Sequence, residues 1–268
     1  MITIKEYLLS KRKPSVNIKA NNSNLFKIVY DALKSDGLNA DLNFIDVSEV
    51  TNMGGLFNCD LCTLMDEIFG DDKYKFNADI SDWNVRNVKN MESMFYQCEE
   101  FNCNISKWDV SSVTDMSEMF ANCCKFNVDI SNWDVSNVMH MNATFSGCTA
   151  FNKPIGKWNV SKVITMNEMF GAYEGTQNAG PKAFNQDLND WNVSNVEDMG
   201  YMFCGAKSFN KQLNKWRSKL GKVTDMSMMF AYSGFNHDIS MWNVSNVTEY
   251  DDMFLECPIK EEYKPKFE

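Results

Sequence analysis

The sequence predicts an α/β repeat solenoid of about eight coils, each a short parallel strand followed by a short helix. Three observations predict it. Near-identical segments open at Phe76, Phe101, Phe126, Phe151, Phe184, Phe209 and Phe235, with steps of 25, 25, 25, 33, 25 and 26 residues. All seven tryptophans (Trp83, Trp108, Trp133, Trp158, Trp191, Trp216 and Trp242) occupy one register of that repeat. Inside each segment the apolar spacing changes from strand-like to helix-like. A fixed period of roughly 20–50 residues marks an array of stacked units.

Taken in order, residues 1–37 read as an N-terminal segment and helical cap. Lys5–Lys11 is a short helical candidate, and a loose Pro/Asn-rich link follows to residue 21. From Asn22 to Asp36, Leu25, Phe26, Ile28, Val29, Ala32 and Leu33 form a helical stripe, with Ser23 or Asn24 as N-cap and Gly37 as terminator. Such a stripe suits the open apolar face of a first coil.

Residues 38–257 are the repeat array. Leu38–Phe57 is a degenerate first copy, with Leu38 in the Phe slot and Ile45 in the Trp slot. In the next copy, Ile80-x-x-Trp83-x-Val85-x-x-Val88 has the spacing of a leucine-rich repeat with bulkier residues. Trp83 and Val85 flank the polar Asn84, which predicts a short strand with both facing inward. Val88, Met91, Met94 and Phe95 then take three/four spacing, which predicts one or two helical turns. Asn77, Asn102, Asn127, Asn152, Asn185, Asn210 and Asn236 each follow the repeat Phe and predict an asparagine ladder at a corner. One copy buries about five large side chains at roughly 1.5–3 kcal/mol each. Ordering its backbone costs about 1–2 kcal/mol per residue. Stability must therefore come from stacking, and strands ~4.8 Å apart make eight coils roughly 40 Å long.

Three irregularities interrupt the array. Thirteen extra residues lie near 58–75 and eight near 171–183, at the same point of the repeat, so both should project from one edge. Two extra residues follow Trp216, in WRSKLGKV, and predict a local bulge. Residues 258–268 read as a charged tail that frays.

Composition narrows the function. A net charge of −10 argues against a sequence-independent grip on nucleic acid. No apolar run approaches the roughly 18 residues of a membrane span, so no membrane insertion is expected. The N-terminus lacks a secretory pattern, and the expected location is cytoplasmic or virion-associated. Nine cysteines fit poorly with full pairing. Cys98, Cys123, Cys148 and Cys257 recur three residues after a Phe, as small buried hydrophobes do. Cys59-x-x-Cys62 has no second pair, so no metal is expected. With two histidines and no nucleophile or phosphate-loop motif, neither catalytic residues nor a cofactor is expected. Asp109 and Asp134 share a slot in adjacent coils, where mutual repulsion should raise one pKa.

Candidate binding residues follow from strand alternation. The slot before Trp varies most: Asp82, Lys107, Asn132, Lys157, Asp190, Lys215 and Met241. If Trp points in, this column points out and offers a variable recognition face. Tyr74 and Tyr173, in the two insertions, are rival aromatic anchors.

The segment pattern FNxDISxWDVSNVTxMSxMF resembles the 25–26-residue repeats of BspA-type leucine-rich surface proteins, found in mycoplasmas, Bacteroidales relatives and some large viruses and phages. It covers about Leu38 to Cys257. The resemblance implies a leucine-rich-repeat-type solenoid and a role in adhesion or protein binding, with no catalytic residues. The front end, ITIKEYLL followed by a helix, is similar to leaders of virus- or phage-encoded relatives. The expected function is a non-enzymatic protein-binding scaffold, with a structural virion or assembly component as the alternative. The partner is a protein, and a homo-oligomer is compatible with either reading.

Overall fold

The computed structural model describes residues 17–60, 63–172 and 182–267. Lys5–Lys11 lies outside the described residues. Successive repeats stack, and an unbroken series of parallel bridges ties equivalent residues together: Asn52 to Asn90, Asn90 to Asp115, Asp115 to His140, and so on to Glu249.

The amides of one segment explain this arrangement. From Met91 onward, alternate N–H groups reach the next coil: Met91 to the Asp115 carbonyl (3.0 Å), Ser93 to Ser117 (2.8 Å), Phe95 to Met119 (3.0 Å), Gln97 to Ala121 (2.8 Å). The Glu92 amide donates to Asn90 Oδ1 (2.7 Å), and the later ones turn back three residues, from Met94 to Met91 (3.2 Å), Tyr96 to Ser93 (3.2 Å) and Cys98 to Phe95 (3.0 Å). Every donor in the stretch is thus satisfied, half between coils and half within one.

This corrects the expected short helix over Val88–Phe95. Ser93 (φ 52°) and Gln97 (φ 59°) are left-handed, and an α-helix cannot pass through such residues. Tight turns with a left-handed third residue bring Met91, Met94, Phe95 and Cys98 inward at three/four spacing without a helix. The same geometry recurs at Glu118, Asn122, Ala143, Gly147, Glu168, Tyr201, Gly205, Met228 and Tyr232.

The expected strand over Trp83 and Val85 is also absent. Here the amides close turns, Trp83 to Ile80 (3.2 Å) and Val88 to Val85 (2.9 Å). Coils are joined on this side mainly by side chains. The Trp133 indole Nε1–H donates to the Ile105 carbonyl (3.2 Å), and Trp158 does the same to Ile130 (3.2 Å). Trp83 likewise reaches Leu42, and Trp242 reaches Leu213. At the corner after the Phe, the asparagine ladder is present: the Asn127 amide donates to Asn102 Oδ1 (3.0 Å), and Asn152 to Asn127 (3.1 Å).

The core is two adjoining phenylalanine columns. Phe95, Phe120, Phe145 and Phe170 stack at 5.7 Å, and Phe101, Phe126 and Phe151 at 5.8–6.1 Å. The columns touch at 4.0 Å between Phe120 and Phe126. The indoles lean on them, Trp133 at 33° to Phe120, and all seven are buried.

Segments outside the repeat pack on both ends of the described stack. Strand β1 (Ile18–Lys19) pairs in parallel with β2 (Ile45–Asp46), so the end of the expected loose link is a rung. Helix α1 (Leu25–Asp36) buries Leu25, Ile28, Val29, Tyr30, Ala32 and Leu33 and stops at Gly37 (φ 86°), whose N–H reaches the Leu33 carbonyl. Phe26, expected in the stripe, is 40% exposed because it lies about 100° round the helix from Leu25. Asn22 Oδ1 accepts from the Thr51 and Asn52 amides (2.9 and 3.2 Å), as the Thr51 carbonyl does from the Lys89 and Asn90 amides one coil on.

The C-terminal segment, expected as a loose tail, packs on the last coil. Ile259 and Pro265 are buried. The Ile239 amide donates to the Tyr263 carbonyl (3.0 Å), the Lys260 amide to Asn236 Oδ1 (3.3 Å), and Phe267 stacks on Tyr250 at 4.1 Å. Two apolar anchors hold the segment although most of its residues are charged or polar. The surplus after Trp216 makes no strand bulge either. It is absorbed by a 3-10 turn at Asn214–Trp216 and a tight return from Lys219 N–H to the Trp216 carbonyl (2.7 Å).

Candidate partner-binding surface

The residue before each tryptophan is the third of the tight turn that the Trp amide closes. Asp82, Lys107, Asn132, Lys157, Asp190, Lys215 and Met241 are all exposed there, Met241 at 75%. They ride on turns and not on a strand. The turns are pinned from the neighbouring coil, the Asp82 amide by Asn43 Oδ1 (2.8 Å) and the Lys215 amide by Asn189 Oδ1 (2.9 Å). Lys215 Nζ pairs with Asp190 Oδ1 (2.6 Å). That bond lowers the Asp190 pKa and raises that of Lys215. Among the described residues the other five make no side-chain hydrogen bond or ion pair with one another.

The first insertion forms helix α2 (Thr63–Phe69) and a 3-10 helix (Gly70–Lys75). Tyr74 is half-buried there, with the Lys73 ammonium 4.9 Å over its ring. Lys73 in turn pairs with Asp66. Tyr74 is therefore part of the insertion's own packing. Tyr173 lies outside the described residues, as does Cys62 of the Cys59-x-x-Cys62 pair.

The adjacent carboxylates Asp109 and Asp134 both titrate below the usual value, which corrects the expected upward shift. Asp109 accepts from the Ser111 hydroxyl (2.6 Å) and Asp134 from the Ser136 amide (3.0 Å). The bonds to Ser111 and Ser136 outweigh the repulsion between the two. Burial pushes the thiols of Cys98, Cys123 and Cys148 well up. Their S–H groups donate to Phe57, Phe95 and Phe120 carbonyls at 2.8–3.1 Å.

Family comparison gives a match to the group described as "Mycoplasma protein of unknown function, DUF285", over residues 63–180 and again over 179–264. The chain belongs to this family. No curated protein and no solved structure matches it. The two DUF285 matches meet within the second insertion, where the repeat is interrupted.

Inside the second DUF285 match lies a feature the sequence reading missed. A concavity of about 720 Å³ opens between the last two coils and the C-terminal segment. Lys215, Arg217, His237, Asp238, Met241 and Tyr263 line it. Arg217 takes the slot that Asn84, Asp109, Asp134, Asn159, Asn192 and Asn243 fill elsewhere. The signal was legible: from Gly205 to Thr224 the chain carries six Lys and Arg and no Asp or Glu. Among the described residues, no helix is long and apolar enough to cross a membrane.

Proposed function

We propose that this DUF285 chain is a non-enzymatic, protein-binding repeat scaffold of the BspA type, a leucine-rich-repeat-like solenoid that presents variable side chains on a fixed frame. One observation carries the reading. Seven residues that differ in charge and size from coil to coil sit at one exposed turn position, while Phe, Trp and Met beneath them barely vary. The parallel bridges between coils support the solenoid assignment. A cytoplasmic or virion-associated site of action is part of the proposal, and the free thiols favour it.

The assembly-component reading is the alternative: among the described residues the Tyr250, Asp252 and Phe254 amides, whose equivalents donate to a following coil, have no backbone partner. The test is affinity capture from the native source with wild type and the double variant Lys107→Glu/Lys157→Glu. Capture of a defined protein that the double variant loses is expected. An unchanged capture profile removes the column from consideration, and concentration-dependent oligomers in light scattering favour assembly instead.

A further inference from the structure

We infer that the concavity at the C-terminal coils binds an acidic segment of a partner protein, with a carboxylate on Arg217 and an adjacent apolar side chain on Met241. The inference rests on the protein-binding reading above and gives it a place and a chemistry.

The repeat does not call for an arginine at position 217. The other six slots equivalent to Arg217 carry Asn or Asp, which closes a local turn onto the residue two further on, as Asp134 does with the Ser136 amide (3.0 Å). Arginine cannot make that bond, and the coil needs two surplus residues to close. The substitution leaves an exposed guanidinium with no side-chain hydrogen bond or ion pair among the described residues. The neighbouring groups, by contrast, are held. Asp238 accepts from the Ser240 amide (2.9 Å) and hydroxyl (2.7 Å), and Lys215 pairs with Asp190. Lys219 Nζ donates to the Trp191 carbonyl (2.8 Å). His237 Nε2 meets the Asn210 carbonyl (3.1 Å), which makes the ring a donor there.

Met241 supplies the second half. It is the one apolar member of the seven-residue column and stands 75% in water beside the concavity. An exposed methionine is an adaptable apolar contact, and an unpaired guanidinium is suited to a planar carboxylate. Extended polyanions fit less well. Bases are densest in this coil, and acidic groups flank it at Asp187 and Asp190 on one side and Glu249, Asp251 and Asp252 on the other. A nucleic-acid backbone would run into that repulsion.

The experiment is fluorescence anisotropy with a labelled pentapeptide of alternating glutamate and leucine, its glutamine counterpart, and a labelled oligothymidylate. Wild type should bind the glutamate peptide and bind it less tightly as salt rises. Arg217→Asn, which restores the residue type used by the other coils, should weaken binding about tenfold or more. Met241→Asn should weaken it several-fold, and Lys107→Glu should leave it unchanged. Equal binding of the glutamine peptide, wild-type affinity in Arg217→Asn, no binding of the glutamate peptide, or tighter binding of oligothymidylate each overturns the inference. Peptide failure alongside capture that still depends on Lys107 and Lys157 overturns this site alone and leaves the column reading standing.

Discussion

The Trp133 indole N–H donates to the Ile105 carbonyl of the preceding coil at 3.2 Å, while its ring leans on Phe120 at 6.3 Å. One side chain thus fills the core and replaces a main-chain bond between coils. Trp133→Ala should cost about 3–5 kcal/mol in urea unfolding. Trp133→Phe should recover most of the packing yet still lose ~0.5–1.5 kcal/mol, the worth of one hydrogen bond, since the Ile105 carbonyl keeps the Trp108 amide as a donor (3.1 Å). A loss below about 1 kcal/mol for the alanine variant would contradict the buried position.

Left-handed turns make a prediction of opposite sign. Ala143 has φ 47°, and an L-residue there costs ~1–2 kcal/mol, which glycine avoids. After glycine's extra chain entropy, roughly 0.5–1 kcal/mol, Ala143→Gly should raise the melting temperature slightly. Gly147→Ala should lower it, since φ is 66° there and the Asn122 side chain, with Oδ1 2.1 Å from the new Cβ, must move aside.

Thiol reactivity should follow burial. Cys98, Cys123 and Cys148 are held protonated by their apolar surroundings and should resist an aromatic disulfide reagent in the native state. Half-buried Cys103 and Cys124 should react before them. The sign for stability follows from linkage. Unfolded thiols ionise near 9.0 and the buried ones only above that, so their contribution is complete below pH 9 and declines as the pH rises. Thermal melts across pH 8–10 check the direction.

The C-terminal segment should behave as a cap. Ile259→Ala should cost about 2–3 kcal/mol. Limited proteolysis should then begin at the last coil, where the Ile239 amide loses its Tyr263 partner. Cleavage that starts elsewhere would assign the segment a lesser role.

The Phe and Trp register was legible because identical side chains at one period must meet when coils stack. The turn architecture was not. Three/four spacing at Met91, Met94 and Phe95 is shared by a helix and by consecutive left-handed turns, and Ser93 and Gln97 carry no glycine to tell them apart. The indole's hydrogen bond was hidden for a related reason, since its ring alone accounts for the pattern. Ile259 was lost among charged neighbours. The exposed column was read correctly as outward, though from a strand that does not exist: a tight turn closed by the Trp amide exposes the preceding residue just as alternation would. Arg217 is hard to single out in sequence because the two surplus residues of WRSKLGKV hide a change of side chain in a fixed slot.

The alternating amides of Met91 to Cys98 carry a consequence for how such chains change length. Each coil offers its successor the same row of amide donors that its own carbonyls took from its predecessor, and side-chain ladders repeat at the same interval. A cassette such as Phe101–Lys125 can be duplicated or excised, and the rows on either side then re-close without new interfaces. Only the segments around Asn22 and Ile259 are tied to a terminus, so the number of rungs is free to drift while the lids stay the same.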